Sequence, residues 1–340
     1  MKYCRLIIEI NKSCVISMFL TYYIIFSDLD RRVSELVVHG LAHNSRKTYS
    51  NASSKYINFC SMYGLDPTNI SEYQVLRFIT YLTSLSLSIS TIRVYIAGVR
   101  AWAIANNLPV PDIYQPRVKW ALKAVAKQGP PPSSVPPLGY SVLDSLLPRV
   151  PKTYDNLMLV TAMLLAYYGC FRSAEFCPNP STAPPLTPNN ITFHHAENHH
   201  YMKVNVRASK TSIHGFKAII GCSGTFVCSL CWMRSYLAVR PFPKTDPLFI
   251  NSRGIPLSHS IMTKSMRELM TITGLPPLEY TPHSLRAGSA TDAAQRGLPD
   301  SAIQQLGRWR SDAFKVYLRP SSQSQAGLSS ILAGLHLNAN

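Results

Sequence analysis

Acid is what this sequence has least of for its size. Only 17 Asp and Glu stand against 34 Lys and Arg in 340 residues, which leaves a formal charge of +17 and a pI near 9.6. There is no carboxylate cluster and no P-loop, so the chain shows neither a carboxylate cage for a metal nor a cradle for a nucleotide phosphate. The apolar run CVISMFLTYYIIF, Cys14 to Phe26, follows Lys2, Arg5 and Lys12 but is too short to span a bilayer. SDLDRR behind it offers no small-residue cleavage site, so neither a membrane anchor nor a secretory signal is expected. Residues 1–34 therefore read as an N-terminal extension. A dense basic localisation cluster is also missing. Eight cysteines in a chain of this length do not form a secreted disulfide scaffold, since most sit in apolar periodic segments where a free thiol packs well. Cys222, Cys228 and Cys231, with His214 as a fourth ligand, would make half of a zinc pattern. No second CxxC or HxxxH pair follows, and a metal is not expected.

What is present in excess is positive charge. A hydrophobic content of 46% excludes a disordered chain, so the charge covers folded domains. Residues 1–128 carry 15 basic and 7 acidic side chains, net +8, which leaves +9 for the remainder. A basic tail would explain neither share. Two basic lobes gripping one duplex would explain both, with nucleic acid the first partner to consider and an anionic membrane surface the second.

The chain length suits two domains. Residues 35–128 read as a helical domain. Tyr49, Tyr56, Phe59, Cys60 and Tyr63 fall at helical spacing before Gly64, and Ser71 is a good N-cap for a helix facing inward through Val75, Leu76, Ile79 and Leu82. Ile92, Tyr95, Ile96, Val99 and Trp102 mark another, on which Arg93 and Arg100 share a face. Lys119, Lys123 and Lys127 form a basic stripe at four-residue steps. Such a stripe is more often a solvated surface than a binding site, but here it joins Arg93 and Arg100 as DNA-contact candidates. GPPPSSVPPLG, residues 129–139, can be neither helix nor central strand and reads as a stiff linker. Residues 140–320 begin with apolar helices. They then change period, with Ile191, Phe193, Met202, Val204 and Val206 alternating with polar residues, as in short antiparallel strands. Helices resume through SHSIMTKSMRELMTITGL, TPHSLRAGSATDAAQRG, DSAIQQLG and SDAFKVYLRP. The expected fold is mainly α with a small antiparallel β-sheet, followed by a tail over 321–340.

Several side chains carry chemistry. Arg172 in GCFRSAE, with Glu175 three residues on, could be a surface ion pair, yet it follows an almost wholly apolar helix. Lys210 in SKTSIHG could be a simple turn lysine, His283 a satisfied core histidine, Arg286 structural and Tyr317 core. His283 and Arg286, three apart on a helix, share one side of it. A histidine beside a permanent cation is electrostatically awkward unless an anion lies between them. In order, Arg172, Lys210, His283-x-x-Arg286 and Tyr317 make a pattern. With the helical domain before them, these boxes resemble the tyrosine recombinases, or phage integrase family, over roughly residues 35–320. The wording SLRAGSATDAA and GRW.SDAF..Y.RP is most similar to recombinases of DIRS-like retrotransposons and Cryptons.

The resemblance implies a SAM-like core-binding domain followed by an α+β catalytic domain, with double-stranded DNA as substrate. Tyr317 would attack a backbone phosphorus, leaving a 3′-phosphotyrosine and a free 5′-hydroxyl. Arg172 and Arg286 would clamp the non-bridging oxygens with paired donors, which a point-charged lysine matches less well. His283 would hydrogen-bond the phosphate or take the tyrosine proton, Lys210 would protonate the departing 5′-oxygen, and Glu175 would orient Arg172. No cofactor, metal or ATP is implied, because the phosphotyrosine conserves the bond energy. One position departs from the pattern: nine residues before Tyr317, where many relatives carry His or Trp, stands Arg308, with Trp309 next to it. The indole NH favours Trp309, and Arg308 is the alternative. Two duplexes imply a homotetramer on two sites. The pattern of Leu328, Ile331, Leu332 and Leu335 makes an amphipathic tail that could dock on a neighbour or on its own domain. Nuclear action follows from the eukaryotic-element resemblance alone. The rival readings are a catalytically inactive DNA-binding derivative and a topoisomerase-like nickase that never exchanges strands.

Overall fold

Ser71 and Ser88 set where two of the first helices begin. Each lies in extended backbone, and its hydroxyl accepts the N–H three residues on, from Gln74 and Thr91, satisfying a donor the first turn leaves over. These residues open α2 (Glu72–Ser84) and α3 (Ile89–Ala105). Before them runs α1 (His43–Met62), and after them α4 (Pro116–Gln128), whose Pro116 stands in the first turn, where its missing N–H costs nothing. The computed structural model describes residues 28–29, 31–33, 35–36, 40–110, 112, 115–129, 135–178, 184–197, 199–207 and 215–317. The expectations for residues 1–27, for part of the linker and for the tail from 318 onward lie outside them.

The chain divides into two units between Ser133 and Ser134, within the proline-rich stretch. In the first unit, Tyr56, Phe59, Phe78, Ile79, Ile92, Val99 and Val118 from all four helices share one core. There the Gln74 side chain donates to the Tyr56 hydroxyl at 2.7 Å, so a buried amide is satisfied rather than stranded. Helices α1 and α3 cross so closely that a Cβ on Gly98 would lie 2.4 Å from that of Ala52. Arg93, Arg100, Lys119, Lys123 and Lys127 all lie on the exposed surface of this unit.

The second unit is built around two helices buried on nearly every side. One is α6 (Tyr154–Tyr168), buried at each position from Met158 to Tyr167. The other is α9 (Pro282–Gln295), whose buried residues are mostly small: Ser284, Ala287, Gly288, Ser289 and Ala290. Small side chains let other backbone come close. Leu138 N–H donates to the Ser284 carbonyl at 2.8 Å, and a Cβ on Gly288 would sit 2.0 Å from the Leu138 carbonyl oxygen. Asp292, one turn further on, accepts the N–H of Tyr140 at 2.6 Å, at the start of α5 (Tyr140–Leu146), and the hydroxyl of Tyr167 at 2.5 Å. Burial, and after it the carboxylate of Asp292, pushes the Tyr167 pKa up.

Three antiparallel strands in the order β1 (Ile191–Ala196), β2 (His199–Val206) and β3 (Phe216–Gly221) complete this unit. The register places Ile191, Val204 and Ala218 on one rung and Phe193, Met202 and Ile220 on another, so the alternating residues form one inward face. Helices α7 (Ser229–Val239), α8 (His259–Thr271) and α10 (Asp300–Gly307) surround the core. The fold is thus mainly α with one small antiparallel sheet. SDAFKVY does not form the α-helix expected of it. The chain leaves α10 through Arg308 in left-handed conformation and then makes a 3-10 turn over Asp312–Tyr317, the tighter form usual in short pieces.

Candidate active site

Helix α6 ends at Gly169, and Cys170 takes a left-handed φ of 47°, which turns the chain sharply into Phe171 and Arg172. Arg172 then caps a 3-10 turn over Ser173–Glu175. Glu175 bends back over this turn, accepting the Arg172 N–H at 3.0 Å with one oxygen and its guanidinium at 3.1 Å with the other. Glu175 is also within 3.3 Å of the Arg308 guanidinium, so one carboxylate, only 3% exposed at its side chain, holds two cations. The arrangement is not the exposed helix pair that the i, i+3 spacing also allowed.

On α9, His283 and Arg286 lie at different depths. His283 is exposed, whereas Arg286 is buried at 1%. Arg286 donates to the carbonyls of Cys170 and, at 2.5 Å, of Gly307, and its guanidinium lies 4.2 Å from the centre of the Trp309 ring. No carboxylate is within ion-pair distance of it among the described residues. Burial and the nearby charge of Arg172 lower its pKa, against partial relief from Glu175, as expected for a cation taken out of water. Arg172 and Arg308 therefore share the one carboxylate of Glu175 while Arg286 has none, which leaves a local excess of +2. A buried excess of that sign is costly unless an anion arrives.

Tyr317 completes the cluster. Its hydroxyl lies 2.6 Å from Nε2 of His283, and its carbonyl accepts the Thr291 hydroxyl at 2.8 Å, which pins the 3-10 turn to α9. Trp309 stands between Arg286 and Tyr317, its ring 5.9 Å from the tyrosine ring. Partial burial, then the charges of Arg286 and Arg172, hold the His283 pKa below its ordinary value. Burial raises the Tyr317 pKa, against the pull of the same two arginines. A neutral imidazole thus meets a protonated phenol, so the pair can pass a proton from oxygen to nitrogen.

The two residues weighed for the position before the tyrosine have separate fates. Arg308 turns inward. Its guanidinium donates to Gly169, Leu306 and Cys170 carbonyls as well as Glu175, and stacks 4.2 Å from the Phe216 ring. Trp309 faces the cluster. Lys210 and His214 lie outside the described residues, and the basic residues of α3 and α4 belong to the other unit. Gly307 was not singled out from the sequence, although a Cβ there would meet the Trp309 ring at 1.7 Å. Thr291, Gly288 and Asp292 also support the site unannounced. Their signal is a helix whose buried positions are small or polar where leucine would be usual.

The phage integrase family model matches residues 142–323, more than half of the chain. The chain belongs to that family. It is a tyrosine recombinase, an enzyme that transfers DNA strands. The tyrosine recombinase XerD of Chlorobaculum tepidum is 23% identical over 275 residues, spanning 77% of this chain and 81% of its own length. Two solved structures share the fold at low identity. The site-specific recombinase XerH, in a post-cleavage complex with palindromic difH substrate, matches at 16% identity with a TM-score of 0.63, covering 85% of this chain and 80% of that one. The Tn1549 transposon integrase, in complex with circular intermediate DNA, matches at 14% identity with a TM-score of 0.56, covering 82% of this chain and 98% of that one.

Proposed function

We propose that this integrase-family chain cuts and rejoins double-stranded DNA at a specific site through Tyr317. The observation that carries this reading is the 2.6 Å contact between the Tyr317 hydroxyl and Nε2 of His283, beside the buried, carboxylate-free Arg286. The phenolic proton passes to Nε2 as the oxygen attacks phosphorus. The P–O5′ bond breaks as the P–O(Tyr) bond forms, and Lys210 protonates the departing 5′-oxygen. Arg172 and Arg286 stabilise the charge that grows on the two non-bridging oxygens, with Trp309 donating its indole N–H beside them. Arg308, its donors turned to carbonyls and Glu175, braces the Arg172 turn instead. A 5′-hydroxyl from another strand reverses the steps and exchanges partners.

In this reading residues 35–128 are the core-binding domain, with Arg93, Arg100, Lys119, Lys123 and Lys127 on phosphates. Four protomers act on two sites in the nucleus, and the gene belongs to a DIRS-like or Crypton-like mobile element. The wording of the boxes from Ser284 to Pro320 supports that origin, and the net positive charge on both shares of the chain supports the clamp.

The test uses nicked suicide substrates made from the terminal repeats of the encoding element. An SDS-resistant, 3′-linked protein–DNA adduct that forms in EDTA and is absent from Tyr317→Phe and Arg286→Ala is the expected result. Tight, salt-sensitive binding to the same DNA without any adduct would instead mark a catalytically inactive DNA-binding derivative.

A further inference from the structure

The second unit holds a cluster that strand exchange does not use. Cys222 follows the last residue of β3, its N–H donating to the His200 carbonyl at 2.8 Å, so the strand edge fixes its position. Cys228 caps the N-terminus of α7, and Cys231 lies in the first turn of that helix. The loop between them turns at Gly224, which has a φ of 67°. It is held by the Trp232 indole donating to the Phe226 carbonyl at 2.7 Å. The three sulfurs converge: Cys222 Sγ lies 3.5 Å from that of Cys228 and 3.9 Å from that of Cys231, and all three fall within 4.8 Å of one another.

We infer that Cys222, Cys228 and Cys231 form a thiolate tripod that binds one zinc ion and ties the end of β3 to the start of α7. The argument is geometric. Three thiolates on a tetrahedral zinc with bonds of about 2.3 Å must stand roughly 3.8 Å apart, and the Cys222 sulfur already lies 3.5 Å and 3.9 Å from the other two. Thiol contacts alone do not require such convergence of three residues from a strand end, a cap and a helix turn. Backbone N–H groups of Cys231 and Ser223 also point at the Cys228 sulfur, as donors that favour a thiolate. Cys222 and Cys231 reach the surface, so an ion has a way in. No fourth His, Cys, Asp or Glu joins the cluster among the described residues. The fold supplies convergence from the strand end. The tripod lies at the end of β3 away from the β2–β3 turn, so its role is to hold the fold rather than to act on phosphate.

The experiment titrates the full chain, reduced and stripped of metal, with Co²⁺ alone. One equivalent should develop the d–d and sulfur-to-cobalt charge-transfer absorption of a tetrahedral thiolate site. Zn²⁺ should bleach it and raise the melting temperature. Cys222→Ser and Cys231→Ser should each weaken cobalt binding by at least about tenfold, and Cys60→Ala, in the other unit, should leave it unchanged. A second measurement needs no variant: saturating Zn²⁺ should shield Cys222 and Cys231 of the native chain from iodoacetamide. Absence of the thiolate spectrum in reduced protein, a spectrum unaltered in both surface variants, or equal alkylation with and without Zn²⁺ would each overturn the inference. So would a Cys222–Cys231 disulfide in a chain that, once reduced, takes up no cobalt, since the cluster would then be a redox pair.

Discussion

Before the proline stretch, the buried polar side chains are the neutral Ser53 and Gln74; after it, they include Glu175 and Arg286. Both units have apolar cores of ordinary make, yet among the described residues only the second encloses charge. In the first, Lys and Arg stay in water and cost the fold nothing. In the second, a guanidinium sits at 1% exposure with carbonyls and an indole around it and no carboxylate of its own. Ion pairs explain Arg172 and Arg308. They do not explain Arg286, and an unpaired buried cation in a protein that binds a polyanion marks the place where the anion is to go. On the proposed function, positive charge would serve two ends in one chain, attraction at a distance on one unit and stabilisation at contact in the other.

The sharpest way to break that distinction is chemical. Tyr317→Phe should abolish covalent adduct formation while leaving DNA affinity and melting temperature close to those of the unaltered chain, as read by gel shift and thermal denaturation. Arg286→Ala should fail twice, losing the adduct and lowering stability by about 2–4 kcal/mol, because the carbonyls of Cys170 and Gly307 lose their buried donor. Denaturant unfolding separates the two effects, and an unchanged midpoint would mean that Arg286 does not brace these carbonyls.

A smaller effect probes the backbone crossing that positions α9. Gly288→Ala places a methyl where the Leu138 carbonyl lies, and should cost about 1–3 kcal/mol in the same unfolding experiment.

The pH dependence sharpens the reading of the His283–Tyr317 pair. A folded histidine pKa lowered from 6.5 means the imidazole stays neutral, and able to accept the phenolic proton, to below that pH. The acid limb of the single-turnover cleavage rate should therefore lie below 6.5. Its stability contribution has the same sign: it is present above the unfolded value and lost as pH falls through the folded one. His283→Ala should remove that limb.

The least effect belongs to the first unit. Lys123→Gln should leave melting and the chemical step unaltered, and lower the slope of log affinity against log salt by about 1. A lost adduct in this variant would erase the difference between the two units.

Much of this was legible beforehand. The apolar periodicity of α2, α3 and α6, the alternation in β1 and β2, and the cap at Ser71 are local signals, and local physics decided them. The grouping of Arg172, His283, Arg286 and Tyr317 came from the order of the boxes together with the family resemblance, and the fold brings the four near one another. Helix α7 was not anticipated, because its buried face is only Leu230, Met233 and Tyr236 over three turns, a weak periodic signal. The SDAFKVY turn was misjudged because an amphipathic pattern does not reveal how much room a chain has after a left-handed residue.

Residue types and their spacing by themselves determined which helices form, where charge accumulates and which side chains have the chemistry for phosphoryl transfer. The tertiary structure decided depth and direction. It turned Arg308 towards Glu175 and Trp309 towards Arg286 and Tyr317, sank Arg286 while leaving His283 exposed, and drew three cysteines from a strand end and a helix cap to one point. Such choices depend on what stands opposite each residue across the core, and no spacing along a single chain records that.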